Sequence, residues 1–487
     1  MGDKDVAIKG GFWTGVSTGV AMLTALARVM VLTRFLTKSD FGIVSITNMV
    51  IALCATFTDL GFASVIMYKQ QFTDKEFSSL YWMQLIVFVL IYGIIILLTP
   101  FVANFYEEPT LTTILPIAAL TVLFQAIGQI YESVLQKQYR FKLLAFRNIV
   151  SNFVSLVLAV ILAWKGFGVY SLVYSTLSQM IIINIWNFIT GVKIQRPRFI
   201  FDIKGTLPLV KIGIYQTGTR ILDFFSNKFD VMIIGKLLGT DALGVYDLAK
   251  ELVYRLINFV RSVVSKVAMP ILANNNNDDN AVRARYLQIT KTVAYICVPI
   301  CISTALFSHD AVRIIYGEKF LEAVPLVTLF ALAAIPGCVT SFFDMLGVAK
   351  GRTDLNFKNT IFRIIVTTPI IAVTSLISIK AVAWGGLIVS FIMPIIFWYV
   401  VVQKTYPMPF KVYLAQFSRM LVVVGAVAIV VAVLMYGFNI FKPVVDNWIV
   451  RFVLYASLYV LLLVIGSITF LREDMLFYVG MFKNLRK

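Results

Sequence analysis

The chain has 487 residues, 59% of them hydrophobic, a mean hydropathy of +0.86 and a formal net charge of +18. A soluble domain is about 45–50% apolar, so the composition excludes a soluble globular protein. A membrane-crossing helix takes roughly 20 apolar residues, and the stretches of that length leave only short loops, which excludes a catalytic domain outside the bilayer.

The predicted spans, in chain order, are 11–36, 41–67, 78–104, 111–135, 145–164, 168–192, 208–236, 241–272, 287–307, 321–347, 358–379, 381–403, 413–437 and 449–471. The chain therefore reads as an all-α, polytopic integral membrane protein with about 14 transmembrane helices. The seventh and eighth spans are the most polar. The first begins near Gly10 and is longer than a signal-peptide core, so no cleavable signal is expected. Pro325, Pro336 and Pro369 fall inside spans and predict kinks, which membrane helices tolerate. Cys54, Cys297, Cys301 and Cys338 lie in apolar spans without a CxxC pair, and His309 is the single histidine. That set predicts no metal site, disulfide or cofactor.

Lys and Arg concentrate at the N-terminus, in the even loops and in the C-terminal tail: Lys137, Arg140, Lys142, Arg147, Arg196 and Arg198 are among them. The positive-inside rule then places both termini in the cytoplasm. It also accounts for most of the positive charge, and no nucleic-acid partner is expected.

The chain carries an internal repeat. RFLTKSDFGIV, from Arg34, aligns with KLLGTDALGVY, from Lys236, and FYEEPTLTTILP, from Phe105, resembles IYGEKFLEAVP, from Ile315. Phe146-Arg147-Asn148 likewise echoes Phe357-Lys358-Asn359. In the first pair a base ends one span, and an apolar–Gly pair (Phe41-Gly42, Leu243-Gly244) opens the next. The predicted organisation is a six-helix unit over 1–204, a second over 205–404, and two additional helices with a cytoplasmic tail over 405–487. Parallel repeats of this kind are a transporter architecture, with substrate held between the halves.

RFLTKSDFGIVSITN, TDLGF at Thr58–Phe62 and VLQKQYRFKLLAFRN at Val134–Asn148 resemble the polysaccharide transporter (Wzx-type) flippases. FDVMIIGKLLGTDALGVYDLA, VAMPIL and IIYGEKFLEAVPL fit the same family, which includes the O-antigen and colanic acid exporters. It belongs to the multidrug/oligosaccharidyl-lipid/polysaccharide exporter superfamily. The resemblance implies two six-helix lobes forming a V around a central cavity, and alternating access. It implies a glycan on undecaprenyl pyrophosphate as substrate, flipped across the bacterial cytoplasmic membrane for surface polysaccharide synthesis. Polysaccharide polymerase and chain-length machinery are the implied protein partners.

The residues themselves point to a bound anion. Charged groups at membrane depth cost several kcal/mol and persist mainly where they face a wet cavity or a partner. Gln216, Arg220, Asp223, Asn227 and Asp230 share one face of the seventh span, with Lys228 beside them. Asp247, Glu251, Tyr254, Asn258 and Arg261 do so on the eighth, with Arg255 adjacent. Arg28 and Arg363 sit inside spans 1 and 11. Guanidinium matches phosphate oxygens bidentately and stays charged, so Arg28, Arg220, Lys228, Arg255, Arg261 and Arg363 are the candidate pyrophosphate-binding set. Asp223, Asn227, Asp230, Glu251, Asn258, Gln125 and Gln129 are candidate cavity-lining groups, the acids among them candidates for H⁺ or Na⁺ coupling. Glu132 and Asp344, near the inner ends of spans 4 and 10, are candidate inner-gate acids.

Three other readings remain open. A lipid II flippase has the same span count and a basic cavity. A multidrug antiporter exports cations and would want an acidic cavity. A membrane polymerase or glycosyltransferase would need a large outer loop, which the chain lacks.

Overall fold

The computed structural model describes the backbone of residues 3–58, 66, 72–201, 203–273, 279–343, 346, 352–405, 408–438, 440–441 and 447–470. Side chains are described over the same residues except 3–9, 203–217, 219, 266–273, 279–281 and 353. The TDLGF segment from Asp59, Asp344 and the side chain of Gln216 therefore lie outside the described residues.

Helices make up the fold, and no strand occurs among the described residues. They are α1 (Asp3–Phe35), α2 (Lys38–Thr58), α3 (Asp74–Tyr106), α4 (Leu111–Lys137), α5 (Phe141–Trp164), α6 (Tyr170–Val192), α7 (Ile203–Leu237) and α8 (Gly239–Ala273). Then come α9 (Asp279–Leu306), the short α10 (Ser308–Ile315), α11 (Val324–Val339), α12 (Thr353–Ser375), α13 (Ile379–Phe397), α14 (Phe410–Ala432) and α15 (Trp448–Phe470). Apart from α10, each corresponds to one span of the sequence reading.

Helix is the form the bilayer requires, because each backbone group is satisfied within its own segment. Local signals set the ends. Thr73 caps α3 in a capping box with Glu76, and Glu107 closes the same helix in the left-handed region at φ 57°. Pro325 lies in the first turn of α11, where its missing N–H is harmless, so it starts that helix rather than kinking it. Pro336 and Pro369 are internal to α11 and α12.

Twelve helices among the described residues are long and apolar enough to cross a membrane. The two long helices outside that set are α7 and α8, the most polar pair in the sequence. Each has 35 residues, about 52 Å at 1.5 Å per residue, so charge and not length sets them apart. Apolar side chains such as Leu90, Leu97 and Phe101 on α3, and Val460, Leu461 and Ile468 on α15, are exposed, as lipid contact requires.

The chain divides into two compact units. The first comprises Met1–Leu248, Ile315–Gly317 and Thr367–Ile379; the second comprises Ala249–Ile314, Glu318–Val366 and Lys380–Lys487. In the first, α4 packs on α6, α5 on α1 and α6, and α2 on α7. Phe77, Tyr81, Ile130 and Tyr131 form one of its cores. In the second, α9 packs on α11 and α14, and α14 on α15. Phe307, Val431, Tyr455 and Tyr459 are buried together there.

Candidate functional site

In the first unit, Arg28 is half-buried on α1. Its Nη1 donates to Ser155 Oγ of α5 at 3.4 Å, while its Nε is buried without a hydrogen-bond partner. Ser155 itself donates to the Ser175 carbonyl of α6 at 2.8 Å. Asn148, Ser151, Asn152 and Ser155 recur at helical spacing and share a face of α5. Gln179 of α6 answers them, donating to Asn152 Oδ1 at 3.1 Å.

This polar face ends at Arg147, 2% exposed. The guanidinium donates to Asn148 Oδ1 at 2.7 Å and 3.2 Å, donates to Asn187 Oδ1 of α6, and pairs with Glu132 of α4 at 3.5 Å. Asn187 also donates to Glu132 at 3.3 Å, as does Gln136 at 3.4 Å. A buried charge is tolerated only when paired and hydrogen-bonded, and three helices supply the partners here. Loop counting had put Arg147 among the cytoplasmic loop bases. Because α5 begins at Phe141, the residue falls in the second helical turn, with its side chain inside. The available signal was the polar spacing that follows it on α5. Gln125 and Gln129 are half-buried on α4, and Gln129 Oε1 is buried without a hydrogen-bond partner.

On α7, Arg220 and Lys228 are half-buried and Asp223 and Asn227 exposed. Asn227 donates to the Asp223 carbonyl at 2.7 Å. Asp230 differs from its neighbours on the stripe. It is 5% exposed and accepts from Tyr246 Oη at 2.8 Å and from the Val231 N–H at 2.9 Å. The stripe is therefore open at Asp223 and Asn227 and closed at Asp230.

In the second unit, Glu251 and Arg255 form an ion pair one helical turn apart on α8. Asn258 is exposed, and Arg261 donates to the Gly337 carbonyl of α11 at 3.4 Å. Arg363 is half-buried on α12. Cys297, Cys301 and Cys338 are buried free thiols, with the Cys301 and Cys338 sulfurs 4.0 Å apart. No cluster of metal ligands occurs among the described residues.

The six basic residues of the candidate set thus fall three to each unit: Arg28, Arg220 and Lys228 in the first, Arg255, Arg261 and Arg363 in the second. Each is a basic side chain with several donors, the chemistry that recognises phosphate oxygens.

Known proteins share both sequence and fold with this chain. The teichuronic acid biosynthesis protein TuaB of Bacillus subtilis is 27% identical over 350 residues, 72% of each chain. The lipopolysaccharide biosynthesis protein WzxC of Escherichia coli is 22% identical over 417 residues, 85% of this chain and 84% of that one. Among solved structures, the lipid II flippase MurJ in its inward closed conformation superposes with a TM-score of 0.73, covering 95% of this chain and 99% of that one at 15% identity. Residues 31–325 match the family described as polysaccharide biosynthesis protein, and the chain belongs to that family.

Proposed function

We propose that this protein is a flippase. It carries oligosaccharide repeat units linked to undecaprenyl pyrophosphate across the bacterial cytoplasmic membrane, by alternating access, for surface polysaccharide synthesis. It is a transporter and not an enzyme. Both termini face the cytoplasm, following the distribution of loop lysines and arginines. The two six-helix halves of the repeat reading are the parts that would move.

The observation that carries this reading is Arg28. It lies at span depth with one buried guanidinium donor unfilled, and it belongs to a basic set in a member of a polysaccharide biosynthesis family. An unsatisfied charged donor in a low-dielectric setting calls for an anionic oxygen, and a pyrophosphate offers several. Glu251, paired with Arg255, competes with the substrate for that guanidinium, which keeps binding weak enough for release. Asp223, Asp230 and Glu251 are the groups through which H⁺ or Na⁺ would drive the cycle. Glu132 and Asp344 would close the inner side.

Deleting the gene and assaying the glycan tests the reading. Carrier-linked repeat units should accumulate on the inner leaflet, and surface polysaccharide should be lost. Normal surface polysaccharide with altered drug tolerance would point to a multidrug antiporter. Rescue of a strain depleted of its lipid II flippase would assign lipid II instead.

A further inference from the structure

Residues 193–201 follow α6 without forming helix or strand, yet they are fixed along the first turns of α3. The Arg198 N–H donates to Ser78 Oγ at 2.9 Å, and Trp82 Nε1 donates to the Arg198 carbonyl at 2.8 Å. Arg198 Nη2 pairs with Asp74 at 2.9 Å, and Tyr131 Oη of α4 donates to the Gln195 carbonyl at 3.3 Å. The Phe199 ring stacks on Trp82 with centroids 4.7 Å apart. Backbone outside helices and strands must find its hydrogen bonds elsewhere, and here finding them fixes the segment in place. Its other side chains stay on the surface: Lys193, Arg196, Phe199 and Phe201 are exposed. All of these residues lie in the first compact unit.

The segment meets α3 at the end of a lipid-facing stripe. Ile86, Leu90, Ile94, Leu97 and Phe101 are exposed. They recur with Trp82 at spacings of three and four, so they share one face of α3. Trp82 and Phe101 stand 19 residues apart, about 28 Å at 1.5 Å per residue. A hydrocarbon core is about 30 Å thick. The stripe therefore fills the core, and Trp82 marks its boundary, where aromatic rings gather. Phe199, 93% exposed, extends the stripe by one ring. A phenyl group that bare is unfavourable in water and favourable among acyl chains. Charge lies beyond it. Lys193, Arg196 and Arg198 are exposed, as is Lys75 in the first turn of α3. Asp74, paired with Arg198, and the capping Glu76 are the acids of that turn.

From this arrangement we propose that residues 193–201 form a binding site for the headgroup of an anionic phospholipid in the inner leaflet. Lys193, Arg196 and Arg198 take the phosphate, and Phe199 and Phe201 enter the acyl layer beside Trp82. Guanidinium and ammonium groups match phosphate oxygens, and the cytoplasmic leaflet carries the anionic lipids that attract such clusters. A zwitterionic headgroup offers the same bases no net charge. None of these bases belongs to the candidate pyrophosphate set, so the site is separate from the transport path. The inference rests on the proposed orientation, which puts this end of α3 in the cytoplasm, and it is independent of the transported substrate. The bound lipid ties the segment leading into α7 to the bilayer surface.

Lipid titration of the purified full-length protein in neutral detergent tests the site, with bound lipid read by native mass spectrometry. The probes are phosphatidylglycerol and phosphatidylcholine, and the wild type should bind the first more tightly. The double variant Lys193→Gln/Arg196→Gln leaves the bonds to α3 in place. It should bind phosphatidylglycerol roughly thirtyfold more weakly, at about 1 kcal/mol per base near an anionic surface, with phosphatidylcholine binding unchanged. Phe199→Ala should weaken both lipids. Equal binding of the two lipids by the wild type, or unchanged phosphatidylglycerol binding in the double variant, overturns the site. A membrane-impermeant maleimide checks the leaflet separately: Arg196→Cys should react only after the cells are permeabilised. Labelling from outside intact cells would overturn the orientation and the inner leaflet with it. Normal surface glycan in a strain lacking the gene would remove the substrate assignment and leave the lipid site standing.

Discussion

Arg147 offers the most direct test of how the first unit is held together, and the perturbation is Arg147→Ala. The substitution removes two donations to Asn148, one to Asn187 and the ion pair with Glu132. Hydrogen bonds inside membrane proteins average about 0.6 kcal/mol each in double-mutant cycles, so the four contacts amount to about 2.4 kcal/mol. Stripping one partner from a fully buried ion pair costs about 3–5 kcal/mol. The Glu132 side chain is 36% exposed and regains some water, which pulls that figure down. A loss of about 2–3 kcal/mol results. For a unit of this size, at about 2 °C per kcal/mol, that corresponds to a fall of roughly 4–6 °C in the thermal midpoint. The assay is size-exclusion recovery of detergent-solubilised protein after graded heating. Adding Glu132→Gln to Arg147→Met should recover part of the loss, because no unpaired charge then remains. A shift of less than about 1 °C for Arg147→Ala would refute the reasoning and show that the network adds little to stability.

Three further outcomes follow from the same geometry. Arg220→Ala and Arg255→Ala should each abolish surface polysaccharide export while the membrane content of the protein holds, as read by immunoblot; normal export in both would remove the pyrophosphate clamp. Tyr246→Phe takes the phenolic donor from the buried Asp230 and should lower the thermal midpoint by the equivalent of about 1–3 kcal/mol, the range for leaving a buried acceptor short of its partner; no change would mean that Asp230 finds another donor at no loss. Glu107 carries a carboxyl held below its ordinary value of 4.5, first by the Lys236 hydrogen bond and then by that lysine's charge. Its folded-state pKa is depressed, so the pair stabilises the folded protein above the ordinary carboxylate range, and the benefit disappears as pH falls through the lowered value. Wild-type and Glu107→Gln midpoints should therefore differ at neutral pH and converge in acid; parallel curves would show that the pair contributes nothing.

The span pattern was legible in the sequence because a bilayer admits only long apolar helices and short links, and every helix but the short α10 follows it. The sequence similarity that places Gly42 beside Arg34 and Gly244 beside Lys236 was legible for a related reason, because turn residues at helix ends follow local backbone needs. Arg147 was misread because charge counting treats every base near a span end as a loop base. A helix that starts six residues earlier carries that base inside, and only packing shows whether its side chain finds partners there. Asp230 is the converse case. Helical periodicity places it with Asp223 and Asn227, but the Tyr246 phenol across the α7–α8 turn captures it.

Composition and hydropathy by themselves determined a membrane-spanning helical protein with basic groups at span depth, since these properties are local and additive along the chain. The tertiary structure alone decided which polar groups find partners in place and which keep unfilled donors: Glu132 on Arg147, Glu251 on Arg255, Asp230 hydrogen-bonded by Tyr246, and Arg28 with its Nε open. It alone laid residues 193–201 against the start of α3. Such pairings depend on distances between residues far apart in the chain, and low-dielectric surroundings make the difference between a paired and an unpaired charge large.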